Sequence, residues 1–333
     1  MRAAPDQAAY VLGDGCLRVA TDDPSLLQEL AQTFGPPQAG AVLQTPFWLS
    51  ASVHADGLRD GFARVLLEAP SEELLNADDF LLALAAADFP FRLLPSPPPW
   101  THLALAGESA PFLSLNGPEC RVRLADGWRK AVALLLLHRL MRVQREAIFF
   151  HAASVALGGR GVLLVGPKGR GKSTLALELA ARGHALLGDE HACYRPSDRE
   201  ILPFRRPVGI KPGPRGAGVE RALRRLGLDP ERDGMMRIDV EALFPTAGSV
   251  PAPLAAVVYL DGFAAETTLR AVPPGRTELA GLQVVGSSLV NAPGTRRVFE
   301  MAQLLSAARV YRMTAGTPDD AARHIEQERK RWA

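Results

Sequence analysis

The segment Gly166-Pro167-Lys168-Gly169-Arg170-Gly171-Lys172-Ser173 carries two glycines five positions apart, followed by Lys and Ser. Glycines so placed let a loop curl until successive backbone N–H groups point inward, an arrangement that suits phosphate oxygens. A helix starting near Lys172 adds the positive end of its dipole. The Lys172 ammonium then reaches β- and γ-phosphates, and the Ser173 hydroxyl is a hard ligand for Mg²⁺. Gly166, Lys168, Gly169, Arg170, Gly171, Lys172, Ser173 and Thr174 are therefore the candidate nucleotide-binding residues. In a chain of this composition the pattern arises by accident roughly 0.003 times, so a loop that merely turns is the weaker reading.

Phosphoryl transfer also needs an acid near the loop to hold metal or to receive a proton. Two residues compete. Asp189 ends the short strand after the loop's helix, and Asp261 ends the apolar run Ala255–Leu260. On pattern alone the two are even, and each also reads as a strand-end cap. His151 lies in the strand before the loop, beside Phe149 and Phe150, where it is either a core histidine or a partner of the acid. His184, Asp189 and His191 have metal-ligating side chains, but strand alternation would scatter them. Arg206, Arg296 and Arg297 are candidates for neutralising charge in the transition state.

These residues need elements to hold them. Ile148–Leu157 and Gly161–Val165 read as strands around a Gly158-Gly159-Arg160-Gly161 turn, and Lys172–Arg182 reads as a helix stopped by Gly183. Ala185–Gly188 and Ala255–Leu260 read as strands, and helices are expected at Arg297–Ala308 and Pro318–Arg331. Upstream, Tyr10–Thr21 is strand-like around a Gly-Asp-Gly turn. Asp22-Asp23-Pro24 opens a helix through Phe34, and strands follow at Phe47–Val53 and Phe62–Glu68. A helix is expected over 71–87 and another from Trp128 to about Glu146. Between them, Pro95-Ser96-Pro97-Pro98-Pro99 is the strongest linker signal. Strands alternating with helices predict an α/β protein of two domains, with the boundary between the proline run and Gly117.

The 333 residues are 47% hydrophobic and 22% charged, which excludes a disordered chain. A net charge of +2 provides no electrostatic footprint for nucleic acid or an anionic membrane. The longest apolar run, Ala131–Leu137, is too short to span a bilayer. Cys16, Cys120 and Cys193 have unrelated spacings and read as free thiols of a reducing compartment. No apolar signal segment stands at the start, so a cytoplasmic location is expected.

Taken together, His151, the run Gly161–Leu179 containing the loop, and Arg182-Gly-His-Ala-Leu-Leu-Gly-Asp189-Glu190 resemble the HPr kinase/phosphorylase family, including its relatives that phosphorylate lasso peptide precursors. The resemblance covers about Phe150 to Ile210 well and Ala255 to Met313 loosely. It implies an HPr-kinase-like P-loop domain over 117–333; the first 116 residues, which it does not cover, read from their own pattern as a smaller α/β N-terminal domain that holds the acceptor peptide or serves packing. It implies ATP and Mg²⁺ as cofactors, with Lys172 and Ser173 on phosphates and metal. Asp189 becomes the catalytic base on an acceptor serine, Glu190 assists the metal together with Ser173 and Asp189, and His151 stands near the base. Arg206-Pro207-Val208-Gly209-Ile210 is similar to a family signature. The implied partner is a serine-bearing peptide or small protein, with no nucleic acid or membrane, and self-association into a homo-oligomer is left open.

Three departures point to a kinase-only relative. Thr174 stands where the family has an acid after the loop Ser, Phe204 stands where the later signature begins with an acid, and Lys168 and Arg170 make the loop basic. The rival readings are a carboxykinase-like enzyme for a small acid, a nucleotide-binding regulator without transfer, and a nucleic-acid kinase, which the near-zero charge disfavours.

Overall fold

Asp23 starts the first helix as its position before a proline requires. Its carboxylate accepts from the Ser25 N–H at 3.1 Å, and α1 (Pro24–Phe34) stops at Gly35, whose φ is 90°. In this computed structural model the described residues are 6–38, 47–55, 61–70, 91–144, 147–245, 250–287 and 294–332. The helix expected over 71–87 lies outside them.

The chain divides into two units, residues 1–145 with 285–290, and residues 146–284 with 291–333. In the first unit, β1 (Asp6–Leu12) and β2 (Gly15–Thr21) form a hairpin around the Gly-Asp-Gly turn. Then come β3 (Phe47–His54), β4 (Phe62–Glu68), β5 (Phe91–Leu94), β6 (Thr101–Leu105), β7 (Leu113–Asn116) and β8 (Glu119–Arg123). They build one sheet in the order β1-β2-β3-β4-β8-β7-β6-β5, antiparallel except between β2 and β3. α2 (Trp128–Val143) packs on α1, β2, β3 and β8, with Leu135, Leu136 and Leu140 fully buried.

The expected boundary therefore moves. The proline run is the loop of the β5–β6 hairpin, and β7, β8 and α2 continue the N-terminal unit to residue 145 rather than 116. Prolines mark a loop because they cannot donate to a ladder, but a hairpin loop and a linker look alike in composition.

In the second unit the expected strand Ile148–Leu157 splits at His151. β9 (Ile148–Phe150) pairs with β13 (Ala192–Arg195), while β10 (Ala152–Leu157) pairs with β11 (Arg160–Val165) and β12 (Ala185–Gly188). The loop's helix is α3 (Lys172–Ala181). β14 (Glu200–Leu202) pairs with β13, and β15 (Val208–Ile210) forms a separate two-stranded ladder with β16 (Met236–Ile238). Three short helices lie around it: α4 (Ala217–Arg225), α5 (Pro230–Asp233) and α6 (Val240–Leu243).

β17 (Ala252–Phe263) is the hub of the sheet. It runs parallel to β11 on one side and to β20 (Arg309–Ala315) on the other, and its first residues pair antiparallel with β14. β18 (Thr268–Ala271) closes the edge on β20. α7 (Arg276–Gly281), β19 (Val284–Ser287), α8 (Gly294–Ala307) and α9 (Pro318–Glu328) complete the elements. Leu175 and Leu179 of α3 pack into a core with Val162, Leu164, Val258, Leu260, Met313 and Ile325. Each fully buried leucine contributes about 2 kcal/mol, so α3 is held by its core face and not by its caps. Among the described residues no helix is long and apolar enough to cross a membrane, and the three cysteines are buried free thiols.

Candidate active site

The loop inherits its place from two parallel strands. Val165 of β11 pairs with Tyr259 of β17, so the chain after Val165 turns beside Leu260 and Asp261. Gly166 has φ 154°, and a Cβ there would lie 2.8 Å from the Leu260 carbonyl oxygen, so only glycine fits. The Lys172 side chain folds back across the loop. Its Nζ donates to the Gly166 carbonyl at 2.6 Å and to the Pro167 carbonyl at 3.1 Å. Burial lowers its pKa, against the pull of Asp189 and Glu190.

Ser173 contacts one of the two acids and not the other. Its hydroxyl donates to Asp189 Oδ1 at 2.8 Å. Asp261 turns the other way and is gripped by the Arg312 guanidinium, with Nε 2.9 Å from Oδ2 and a second bond from Nη2 to Oδ1. Hydrophobicity made the Asp261 strand look the better metal strand, and nothing in its pattern announced Arg312.

Asp189 is buried at the end of β12, and its pKa is pushed up to about 6. Burial is the main cause and the neighbouring Glu190 charge adds to it. The Ser173 hydroxyl, the Glu190 N–H and Lys172 act in the opposite direction. Glu190 is exposed and sits at φ 61°, a left-handed conformation that costs a non-glycine residue about 1 kcal/mol or more. His151 supports this turn. Its ring hydrogen-bonds the Glu190 backbone, and the backbone N–H of His151 donates to the Gln283 carbonyl at 2.8 Å. The contact to His151 is thus the backbone of Glu190 and not the Asp189 carboxylate that the sequence suggested. Burial lowers the pKa of His151, and the charge of Lys172 adds to this.

The chain after β14 docks beneath the acid. Phe204 N–H donates to the Leu187 carbonyl at 2.6 Å, and its ring meets Phe149 edge-on at 5.0 Å. The departure at Phe204 is thereby a core contact. A Cβ on Gly188 would lie 2.5 Å from the His191 carbonyl, which explains the glycine before Asp189. Two residues on, buried Arg206 donates from Nη1 to His191 Nδ1 at 2.9 Å. Burial pulls its guanidinium down to about 10, opposed by Glu190 and Asp189, so it stays charged beside the acids.

The other candidates scatter. His184 Nε2 lies 2.9 Å from Glu326 Oε1 on α9, which removes it from the Asp189 turn. Among the described residues no group of three or more His, Cys, Asp or Glu is arranged to hold a metal. Arg296 is an exposed residue of α8 facing Glu300 at 4.0 Å, and the side chain of Arg297 lies outside the described residues. Lys168 and Arg170 are exposed on the loop, and Thr174 is half-buried at the start of α3. Arg237, which sequence reasoning did not single out, lies opposite Gly209 in the β15–β16 ladder, and its positive charge helps to lower the Arg206 pKa.

No protein-family profile matches the chain. Curated relatives do. The HPr kinase/phosphorylase of Limosilactobacillus reuteri (strain DSM 20016) is 33% identical over 112 residues, 33% of this chain and 30% of that protein. The HPr kinase/phosphorylase of Cupriavidus metallidurans is 41% identical over 95 residues, 28% of this chain and 29% of that protein. Over these stretches the chain is HPr-kinase-like. It spans less than a third of the length of those HPr kinase/phosphorylase relatives. A solved structure, the HPr(Ser) kinase/phosphatase from Coxiella burnetii, matches with 17% identity and a TM-score of 0.26, covering 55% of this chain and 94% of that one.

Proposed function

We propose that this protein is an ATP-dependent serine kinase that moves the γ-phosphoryl group onto a hydroxyl of a peptide or small protein. The single observation that carries the reading is the Ser173–Asp189 hydrogen bond beside a glycine loop closed by Lys172. It brings a hydroxyl that would bind metal, an ammonium that would bind phosphate and a buried carboxylate from a different element to one place.

The residues fit the groups they would hold. Gly166 lets the loop lie directly against the Leu260 carbonyl, and Ser173, Asp189 and Glu190 offer hard oxygens for Mg²⁺. A bound Mg²⁺ would supply charge neutralisation for the phosphates. Lys172 would exchange its two loop carbonyls for phosphate oxygens. Asp189, ionised at neutral pH, would orient the acceptor hydroxyl and take its proton as the new O–P bond forms and the bond to ADP breaks. Arg206 would stabilise charge next to that carboxylate, and His151 would hold the Glu190 turn that presents it.

The relatives' name supports a phosphotransferase acting on the protein HPr, and the basic loop residues Lys168 and Arg170 and the buried Phe204 support a different acceptor for this chain. A peptide precursor is the acceptor we favour, in a cytoplasmic setting. The test is incubation with labelled ATP, Mg²⁺ and serine-bearing peptides or proteins, read as a mass gain of one phosphate. Transfer to serine supports the reading. Nucleotide binding with slow hydrolysis and no transfer to any acceptor supports a regulator instead.

A further inference from the structure

Phe263 is 63% exposed, although it is a large apolar residue at the end of a strand whose middle, Ala256–Leu260, is core. Its ring reaches back to the phosphate loop. Cε1 and Cζ lie 3.3 and 3.4 Å from where a Cβ on Gly171 would stand. Any side chain at 171 would push the ring away, so the second glycine of the motif also admits this approach. The ring's base is rigid. Phe263 pairs with Ala315 of β20, and the Ala264 N–H donates to the Ala315 carbonyl at 2.9 Å. Next to it, Arg170 Nη1 lies 2.8 Å from a Cβ position on Gly262. A cation lying over Gly262 and a water-exposed aromatic face thus sit side by side on the rim of the loop.

A nucleotide has the matching order of groups. Held by its β- and γ-phosphates, it presents an α-phosphate and then, beyond the sugar, a flat base. We propose that Phe263 is the nucleobase platform of this site, stacking on the base of the donor while Arg170 faces its phosphates. This rests on the reading of Gly166–Ser173 as a phosphate loop. Stacking on a phenyl face accepts any base, because every base has a π-face, so the platform makes the site tolerant of ATP and GTP alike.

The experiment measures binding of Mg²⁺ complexes of ATP, GTP and inorganic tripolyphosphate to the full chain by calorimetry. The wild type should bind ATP and GTP within about threefold of each other and both more tightly than tripolyphosphate. Phe263→Ala should weaken both nucleotides about tenfold and leave tripolyphosphate within about twofold, and Phe263→Trp should restore the nucleotides. The proposal is overturned if Phe263→Ala binds ATP as the wild type does, if it weakens tripolyphosphate equally, or if it raises only the KM of the acceptor. A wild type that binds tripolyphosphate and ATP equally well overturns the platform and leaves the loop intact. A wild type that binds none of the three overturns the loop reading and the platform with it.

Discussion

The Ser173 hydroxyl is satisfied by Asp189, sixteen residues away and on a different element, at 2.8 Å. That bond links the start of α3 to the end of β12. Asp189→Asn keeps the shape and removes the negative charge. It should retain ATP binding and lower phosphate transfer by about 100-fold or more, the usual range for removing a general base. Nucleotide affinity by calorimetry and transfer by mass spectrometry check it, and near wild-type transfer places the base elsewhere.

Lys172→Ala removes the group that bridges the Gly166 and Pro167 carbonyls. We expect loss of measurable ATP binding together with transfer. A variant that still binds ATP within about threefold of wild type would show that the ammonium is only a loop brace.

Asp261 is the contrasting case. Both its oxygens are taken by Arg312, at a half-exposed position. Asp261→Asn should cost about 1 kcal/mol of stability at most and leave transfer within about threefold. A fall as steep as that expected for Asp189→Asn would return the metal role to the β17 strand.

Glu178, on the far face of α3, is 1% exposed, and its carboxyl is pushed up to about 7 by burial and by Asp319, against Arg182. The folded carboxyl therefore keeps its proton over a range in which the unfolded chain, with a value of 4.5, has lost it. Its contribution is whole below pH 4.5 and declines as pH rises through 7, by roughly 2–3 kcal/mol. Glu178→Gln should flatten that decline and raise stability at pH 8 relative to pH 5. Denaturant unfolding at the two pH values reads this, and an unchanged slope counts against the buried acid.

Gly216 approaches the same carboxyl. A Cβ there would lie 1.8 Å from Glu178 Oε2. Gly216→Ala should destabilise the protein by about 1–3 kcal/mol, because the acid cannot move without leaving Asp319 and Arg182. Combining it with Glu178→Ala should recover part of the loss, which a thermal melt of the double variant would display.

The loop, its strand and its helix were legible because each local signal agreed: an apolar run, three glycines, then a helical period. Asp189 stood out from Asp261 only with the longer pattern around it. The contact of His151 was not legible, since strand alternation cannot tell that the chain breaks at that residue and turns its ring to the Glu190 backbone. The pairing of Asp261 with Arg312 spans 51 residues and comes from β17 lying beside β20, a register no local period encodes. The domain boundary was misjudged for a related reason. A proline run shows where a ladder stops, and whether the next strand returns to the same sheet is a long-range question.

One consequence follows from β17. The loop at Gly166 leans on the backbone of Leu260, so its shape depends on a segment that the ribosome adds about a hundred residues later. A nascent chain with residues through Ser173 already emerged has every group needed to grip a triphosphate and no wall to curl them against. On the proposed function, nucleotide capture therefore waits until translation has delivered β17.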